Sequence, residues 1–350
     1  MLKPYEYGLE NTATESDPKL SLSRKQIVFK GEMYFTAKIF GVTQAKALKA
    51  YFLQGHKERS PVERGDEGYS KITEIFHRNH VETPALDNLF STNTVPLDCS
   101  LLVIAGPQAE FQPEESEKIS QYLDQGGRLF ALFDAYSLAH RLGLEGVLAK
   151  WNVNVTHSMI LDPDLAQDPE HTGSAFAVTN FAPHDIMKSL AGSPMEFFLA
   201  RPIERIKASS QTGADEPQVT DLAFSSVNSR LRDRPSLDSA AYPLMVAVEK
   251  AAAKGVLTER GTTRMVIVGD SMLLDNKLIP AGGNEDFADA AINWLLERTS
   301  FLSGVGPRPI TQYRLQMTPH ETNTVKGLLL GAIPGGILLF GGLVWLRRRK

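Results

Sequence analysis

Four polar side chains come shortly after predicted buried strands, and their types suit the binding of a polar or charged ligand. They are His56, Gln108, Asp134 and Asp270. An imidazole and two carboxylates can form ion pairs or exchange protons, and a carboxamide can both donate and accept hydrogen bonds. In open parallel sheets, ligands bind outside the carboxyl ends of the strands. The four residues therefore predict a ligand-binding rim at one edge of a sheet.

The same residue types also occur at such positions for structural reasons. An Asp or Ser after a strand is a common helix cap, and a His after a Gly is a common loop residue. At the level of sequence, two interpretations of the rim stay open: a ligand site, or a set of capped turns.

Cys99 is the single cysteine of the chain and its one candidate thiol nucleophile. Amidotransferase-like enzymes place such a thiol on the sharp turn after a strand, beside a histidine. Here that turn reads Gly106-Pro107-Gln108, and Cys99 precedes the strand, at the opposite end of the sheet. A single cysteine also excludes an internal disulfide.

The motifs G-x-S-x-G, H-E-x-x-H, Walker A and G-x-G-x-x-G do not occur in the sequence. Asp162-Pro163-Asp164 indicates a turn, and His184 indicates the start of a helix rather than a metal ligand. We therefore predict no catalytic residue, no metal and no cofactor. An amidotransferase-like enzyme with an unrecognised nucleophile is an alternative, and unchanged activity of Cys99→Ser would eliminate its only thiol.

The elements that would position the rim alternate between strands and helices. Apolar runs predict strands at 49–54, 100–105, 128–133 and 263–268, and amphipathic spacing predicts helices at 67–79, 113–125, 137–150 and 286–298. This alternation predicts an α/β fold with a doubly wound, mainly parallel sheet of the flavodoxin-like or amidotransferase-like type. The predicted domain is 31–303, within which 153–262 forms a less regular insertion with strands at 174–181, 196–206 and 242–248.

Composition is that of an ordinary globular protein, with 42% hydrophobic and 22% charged residues in 350. The net charge of -4 and the pI near 6.1 leave no electrostatic footprint for nucleic acid. We therefore expect no nucleic-acid partner.

A membrane anchor is predicted at the C-terminus. Gly327 to Leu346 is a run of 20 residues without a charge, and the cationic tail 347–350 follows it. At about 1.5 Å per residue, such a helix spans roughly 30 Å, the thickness of the hydrocarbon core of a bilayer. Gly327, Gly331 and Gly335 are spaced to let a second transmembrane helix approach, and Pro334 predicts a kink. The segment 326–346 is the predicted transmembrane helix, and 304–325 is a spacer.

The flanking charges predict the sidedness of the anchor. Cationic residues mark the cytoplasmic side of a membrane helix, so the tail is expected in the cytoplasm and the domain outside. Residues 1–30 form a polar segment without the apolar run of an export signal. This conflict has two solutions: a longer N-terminus of which 1–30 is the remnant, or a tail-anchored domain in the cytoplasm.

Several short segments together resemble one family. They are Tyr51-Phe52-Leu53-Gln54-Gly55-His56 with Glu58, Leu101 to Gly106 with the helix at Pro113, Gly126-Gly127-Arg128-Leu129, Gly269-Asp270-Ser271 with Asn276, Gly283-Asn284 and Asn293-Trp294-Leu295. In this order, with the C-terminal apolar segment, the chain resembles the auxiliary substrate-binding subunits of ABC transporters related to the gliding-motility protein GldG. Members of that family usually have an N-terminal transmembrane helix and an upstream domain, and this sequence departs from them there.

The resemblance implies a non-enzymatic accessory component of an ABC-type transport system, without catalytic residues to carry over. It also implies a periplasmic or other extracytoplasmic α/β domain, held at the inner (plasma) membrane by a single C-terminal pass. The implied partners are the permease and ATPase subunits of the transporter and the lipid bilayer, with a small-molecule or polymer ligand. A membrane-anchored protein-interaction scaffold is the other alternative, and replacing all four rim residues would leave the activity of a scaffold intact.

Overall fold

The structure is a computed structural model that describes residues 5–11, 22–29, 31–32, 35, 39, 47–87, 89, 94–167, 172–190, 193–206, 216–234, 239–251, 260–298, 308–309 and 324–349. The chain divides into two compact units. The first contains residues 1–5 and 29–308, and the second contains residues 6–28 and 309–350.

Within the described ranges, the strands are β1 (Tyr5–Asn11), β2 (Leu22–Phe29), β3 (Leu48–Gln54), β4 (Val81–Glu82), β5 (Ala85–Asp87), β6 (Cys99–Ala105), β7 (Arg128–Leu132), β8 (Val153–Val155), β9 (Ile160–Leu161), β10 (Ala175–Val178), β11 (Met195–Phe198), β12 (Ile203–Arg205), β13 (Gln218–Phe224), β14 (Arg230–Leu231), β15 (Pro243–Lys250), β16 (Thr263–Val268) and β17 (Arg308–Pro309). The α-helices are α1 (Ser70–Arg78), α2 (Pro113–Asp124), α3 (Leu144–Ala149), α4 (Asn284–Leu295) and α5 (Ile333–Arg348).

An eight-stranded sheet forms the centre of the first unit, with the order β13-β15-β16-β7-β6-β3-β4 and β5 paired to β3. Six strands run parallel to one another: β4, β5, β3, β6, β7 and β16. Beyond β16, the sheet continues with the antiparallel strands β15 and β13. The predicted α/β fold with a mainly parallel sheet is confirmed.

Both faces of this sheet are covered, which explains why its strands are continuous apolar runs. Along β6, Leu101 and Val103 face the same core as helices α1 and α4, whereas Leu102 and Ile104 face the core of α2 and α3. Successive side chains of a strand point to opposite faces, so one short run supplies both cores. The arrangement is doubly wound.

The strand order places a topological switch point between β3 and β6. After β3 the chain passes through α1 to β4 and β5 on one side of β3, and it then crosses to β6 on the other side. At such a point the two connections leave in opposite directions and open a crevice at the carboxyl ends of the strands. The rim residues His56 and Gln108 follow β3 and β6.

Two predicted elements are corrected, over 137–150 and 196–206, and two predicted regions are described in more detail. The helix predicted over 137–150 is a 3-10 turn at Ala135–Ser137 and the short α3, because Gly143 adopts φ 91 just before α3. The strand predicted over 196–206 is split into β11 and β12 by Leu199, which has φ 55. The polar segment 1–30 contains β1 and β2, which with β17 form a three-stranded sheet. Strands β13 and β15 of the less regular region extend the central sheet.

The second unit contains one helix that is long and apolar enough to cross a membrane, the only one among the described residues. It extends over Thr324–Arg348, and its side chains are exposed. A π-helical turn at Leu328–Ala332 precedes α5, in which Pro334 lies in the first turn. Proline lacks the amide that would bond to the carbonyl four residues earlier, so a wider turn is tolerated there.

Candidate functional site

The loop after β3 fills the crevice at the switch point. Its main chain bonds to the neighbouring strand and loop: the amide of Arg59 donates to the carbonyl of Ala105 over 2.8 Å, and the amide of Gln108 donates to the carbonyl of His56 over 2.8 Å. These bonds continue the β3–β6 pairing beyond the end of the sheet. The position at which α/β proteins commonly bind ligands is therefore occupied by the protein's own chain.

His56 is held between two buried carboxylates at this point. Its Nδ1 atom lies 3.2 Å from Oε1 of Glu58, and its Nε2 atom lies 3.0 Å from Oε2 of Glu115, in the first turn of α2. The ring stacks on Phe111 with centroids 4.0 Å apart. Burial alone would lower the pKa of His56, but the hydrogen bonds and charges of the two glutamates outweigh it and raise that pKa. The His56 side chain thus joins the β3 loop to α2.

A second buried group, which we call the Arg59 cluster, consists of Arg59, Asp134 and Ser271. The guanidinium donates from Nη2 to Oδ2 of Asp134 over 3.0 Å and from Nε to Oγ of Ser271 over 2.9 Å. Ser271 in turn donates to the same carboxylate oxygen over 2.8 Å. The loop residues after β3, β7 and β16 are therefore joined through side chains that water does not reach.

Gly106, which follows β6, lies against the Arg59 cluster. It adopts φ +63, and a Cβ atom added there would lie 2.7 Å from Oγ of Ser271 and 3.1 Å from Oδ2 of Asp134. A side chain at this position would both strain the backbone and displace the cluster. This close approach explains why a glycine occupies position 106 in the Gly106-Pro107 turn.

Asp270 follows β16 and bonds to the β10–β11 hairpin, which belongs to the less regular region 153–262. Its Oδ2 atom accepts from the amide of Phe198, in β11, over 2.7 Å, and its Oδ1 atom accepts from the amide of Met272 over 2.8 Å. Asn284 accepts in the same way from the amide of Glu196 over 3.0 Å. Burial raises the pKa of Asp270 to about 7. The free edge of β11 is thus paired with side chains instead of with another strand.

A cleft of about 280 Å³ opens between this hairpin and the rim. It is lined by Asp66, Glu67, Tyr136, Gln167, Ala175, Phe176, Glu196, Phe197, Phe198, Met272, Asp275, Lys277 and Leu278. The volume is near the lower end of ligand-binding pockets, which hold roughly 300–1,000 Å³.

Three buried aspartates hold the main chain of the cleft lining. Asp134 accepts from the amide of Tyr136 over 2.7 Å, and Asp270 holds the amides of Phe198 and Met272. Oδ1 of Asp275 accepts from the amides of Lys277 and Leu278, over 2.9 and 2.7 Å. The rim carboxylates of Asp134 and Asp270 therefore lie behind the cleft, where they fix residues that line it, and Asp275 does the same from within the lining.

The structure brings the four predicted rim residues to one edge of the sheet, in two groups. His56 and Gln108 meet at the β3–β6 switch point, and Asp134 and Asp270 lie at the ends of β7 and β16. The side chains of His56, Asp134 and Asp270 are buried and bonded within the protein, whereas Gln108 is half-buried. That these residues contact a ligand stays a prediction.

Sequence reasoning missed Arg59, Asp275 and Tyr136. Arg59 and Asp275 lie in charged or polar loops whose side chains are usually solvated, and nothing in their spacing distinguishes them. Tyr136 could have been identified from the sequence, because it comes two residues after Asp134, just beyond the end of a predicted strand. The β10–β11 hairpin, which supplies one cleft wall, had no signal that would place it at the rim.

Cys99 lies at the opposite end of the sheet, as predicted. It is the first residue of β6, its Sγ atom lies 3.7 Å from the hydroxyl of Tyr122, and 4% of the residue is exposed. Burial raises the pKa of this thiol to about 11. Within the described ranges, no group of three or more His, Cys, Asp or Glu residues is arranged to hold a metal ion.

The fold is similar to that of the mmIFT52 N-terminal domain, at 13% sequence identity and a TM-score of 0.53, over 71% of this chain and 97% of that one. A thua-like protein from Bacteroides uniformis matches 72% of this chain and 93% of its own, at 10% identity and a TM-score of 0.40. At 13% identity, the match to the mmIFT52 domain shows the fold alone. Among proteins of curated function, none matches the sequence. The model of a family described as "ABC-type uncharacterized transport system" matches residues 48–296.

Proposed function

Because the chain belongs to the auxiliary family of the ABC-type uncharacterized transport system, we propose that it is a membrane-anchored, non-catalytic binding subunit of such a system. The family supports an accessory role in transport. The finer proposal is that the folded domain binds a ligand in the cleft beside the rim and presents it to the transporter.

The observation that carries this proposal is the way in which the buried aspartates support the cleft. Asp134, Asp270 and Asp275 each bind main-chain amides of cleft-lining residues. A lining fixed in this way loses little conformational entropy when a ligand binds, which favours affinity. We propose that His56, Gln108, Asp134 and Asp270 position the site and that the cleft-lining side chains contact the ligand.

The chemistry of the rim supports binding rather than catalysis. Cys99 is buried at the far end of the sheet with a raised pKa, so its thiolate is scarce at neutral pH. The Asp134 carboxylate is engaged by Arg59 and Ser271, and Asp270 is engaged by two amides. These groups hold structure and do not face the cleft as free acids or bases.

We propose that the helix Thr324–Arg348 anchors the chain and contacts the permease through Gly327, Gly331 and Gly335. A Cβ atom added at any of these glycines would meet no atom of the protein within 4 Å. The helix therefore does not need glycine for its own packing, and small residues are the type that permits close approach of a second membrane helix.

Copurification of the full chain from its native cells, in a mild detergent, tests the transport role. The wild type should retain the permease or ATPase subunit of an ABC transporter, and the Gly331→Leu, Gly335→Leu variant should lose most of it. Gly336→Leu is the control, because five residues at about 100° each place it about 140° around the helix from Gly331, the middle of the three glycines. Recovery without any transporter subunit would refute the proposal.

Sidedness can be measured with an impermeant maleimide, because Cys99 is the only cysteine and can be replaced by serine. In that background, Val227→Cys places a thiol where 69% of the residue is exposed, and Lys350→Cys places one in the tail. If the domain is extracytoplasmic, the maleimide should label only Val227→Cys in cells of which the outer layer alone is permeabilised. In lysed cells it should label both cysteines. The reverse pattern would make this a cytoplasmic, tail-anchored protein.

A further inference from the structure

The cleft carries an excess of carboxylates. Its lining includes Asp66, Glu67, Glu196 and Asp275 against a single cation, Lys277, so the formal balance is four negative charges to one positive. Asp66 and Glu67 are exposed and Glu196 is half-buried. Within the part of the chain that the structure describes, none of these three forms an ion pair. Their charges therefore remain available to a ligand.

Arg59, one of the buried cations behind the cleft, does not neutralise this excess. The guanidinium of Arg59 lies 3.0 Å from the Asp134 carboxylate and 4.0 Å from that of Asp275. Its Nη1 atom also donates to the main-chain carbonyl of Glu67 over 2.9 Å, a bond that does not involve the carboxylate of that residue. The charge of Arg59 is thus matched by Asp134 and Asp275, and it forms no ion pair with Asp66, Glu67 or Glu196.

Aromatic rings complete the walls. Phe176 and Phe197 are buried and stack on each other with centroids 5.9 Å apart. The rings that a ligand can reach are those of Phe198, which is half-buried, and Tyr136, of which 52% is exposed. The face of an aromatic ring attracts a cation placed within about 6 Å, and the attraction adds to that of nearby carboxylates. An anion would meet repulsion from both kinds of wall.

We infer that the cleft binds an organic cation: an ammonium or guanidinium group on a short apolar stem, as in a polyamine or a Lys or Arg side chain. The charged group would lie near Glu67 and Glu196, and the stem would contact the ring of Tyr136. This inference rests on the proposed function, since it names the chemical class of ligand for the same cleft. Its size suits one small molecule or one side chain.

Calorimetric titration of the full chain in lipid nanodiscs tests the inference. The probes are agmatine and spermidine as free amines, and a capped Ala-Lys-Ala peptide as the peptide source of the same group. The matched neutral probe is the peptide with norleucine in place of lysine, and glucose and glutarate represent neutral polar and anionic ligands. We expect at least one cationic probe to bind, with an affinity at least about fivefold higher than that of the norleucine peptide. Added salt should weaken this binding.

The double variant Glu67→Gln, Glu196→Gln should weaken that binding about fivefold or more and flatten its dependence on salt. The control double variant Glu74→Gln, Glu82→Gln removes the same charge at exposed positions outside the cleft and should bind as the wild type does. Tyr136→Ala should weaken binding of the cation without changing its salt dependence.

Each failure has its own meaning. Binding of glucose or glutarate in preference to every cation, with loss in Tyr136→Ala, would overturn the cationic class and leave the binding function intact. Absence of cation binding, or equal effects of the two double variants, would also overturn it. If the Glu67→Gln, Glu196→Gln variant still copurifies with transporter subunits, the role in transport does not depend on the class of ligand, whichever of these results is obtained.

Discussion

The main-chain amide of Phe198 donates a 2.7 Å hydrogen bond to Oδ2 of Asp270, and this contact joins the β11 wall of the cleft to the end of β16. The same carboxylate accepts from the amide of Met272. A part-buried amide in β11 and a buried amide in the 3-10 turn after β16 thus depend on one side chain. Because an unpaired buried donor costs about 1–3 kcal/mol, this residue should matter for both stability and cleft geometry.

Asp270→Ala should lower the free energy of unfolding by about 1–3 kcal/mol, because it leaves the buried amide of Met272 and the part-buried amide of Phe198 without an acceptor. Unfolding of the full chain in detergent, followed with denaturant, measures this change. Hydrogen exchange at Phe198 should accelerate in the variant. Asp270→Asn keeps one acceptor oxygen and should lose clearly less, so equal losses in the two variants would contradict the role of the carboxylate.

The stability of the protein should depend on pH through the same residue. Burial raises the pKa of Asp270 from 3.8 to about 7, so the folded state binds this proton more tightly than the unfolded state does. The stabilising contribution is then fully present below about pH 4 and lost as the pH rises through about 7.

Subtracting the unfolding free energies of Asp270→Asn from those of the wild type, at each pH, isolates this contribution. The unfolding free energy of the wild type minus that of the variant should decrease as the pH rises from 5 to 7.5. Parallel curves over that interval would mean that Asp270 is already ionised at pH 5 in the folded protein.

Arg59 should be the most sensitive single position in the rim. Arg59→Met removes the cation from the Asp134 carboxylate and leaves a buried charge unpaired, which costs about 3–5 kcal/mol. In the double variant Arg59→Met, Asp134→Asn the unpaired charge is gone, so the combined loss should be smaller than the sum of the single losses. Additive losses in unfolding experiments would show that the two residues act independently.

Gly106 should tolerate no side chain, for two separable reasons. Gly261→Ala supplies the control, because Gly261 also has positive φ, at +88, yet a Cβ atom there would meet no atom of the described residues within 4 Å. The control should cost about 1 kcal/mol for backbone strain alone. Gly106→Ala should cost at least about 1 kcal/mol more, since its Cβ atom approaches Ser271.

The steric part of that cost can be relieved. Ser271→Ala removes the Oγ atom that lies nearest to the added Cβ, so the double variant should lose less than the two single variants predict together. Thermal unfolding of the four proteins measures the coupling. Equal costs for Gly106→Ala and Gly261→Ala would refute the close packing of Gly106 on the Arg59 cluster.

Cys99 should be inert in the folded protein. Burial raises the pKa of its thiol to about 11, and the thiolate is the reactive form. Reaction with an aromatic disulfide reagent at pH 7.5 should be about 100-fold slower in the native protein than in denaturant, from the thiolate fraction alone. Fast labelling of the native protein would reopen the thiol as a candidate nucleophile.

Much of the fold could be predicted from local pattern. The strands at Cys99–Ala105 and Thr263–Val268 are unbroken apolar runs, and α2 begins at a proline with glycines after its end. Such runs are readable because burial on both faces leaves no polar residue in the strand. Prediction failed over 137–150, where the positive φ of Gly143 divides an apparent helix.

The position of the rim residues was also predictable, but their partners were not. Residues that follow parallel strands must lie at the same edge of the sheet, so His56, Gln108, Asp134 and Asp270 were found together. The contact between Arg59 and Ser271 joins residues 212 positions apart. No local periodicity encodes such a pair, because it depends on the order in which the strands enter the sheet.

The sequence by itself determined the α/β class and the apolar C-terminal helix, since both follow from hydrophobic patterns within about ten to twenty residues. Only the tertiary structure decided that the switch-point crevice is filled by the β3 loop and that an acidic, aromatic cleft opens beside it. The physical reason is that the β10–β11 hairpin has no strand partner in the central sheet. Its place is set by the side chains of Asp270 and Asn284, which come from elements far away in the chain.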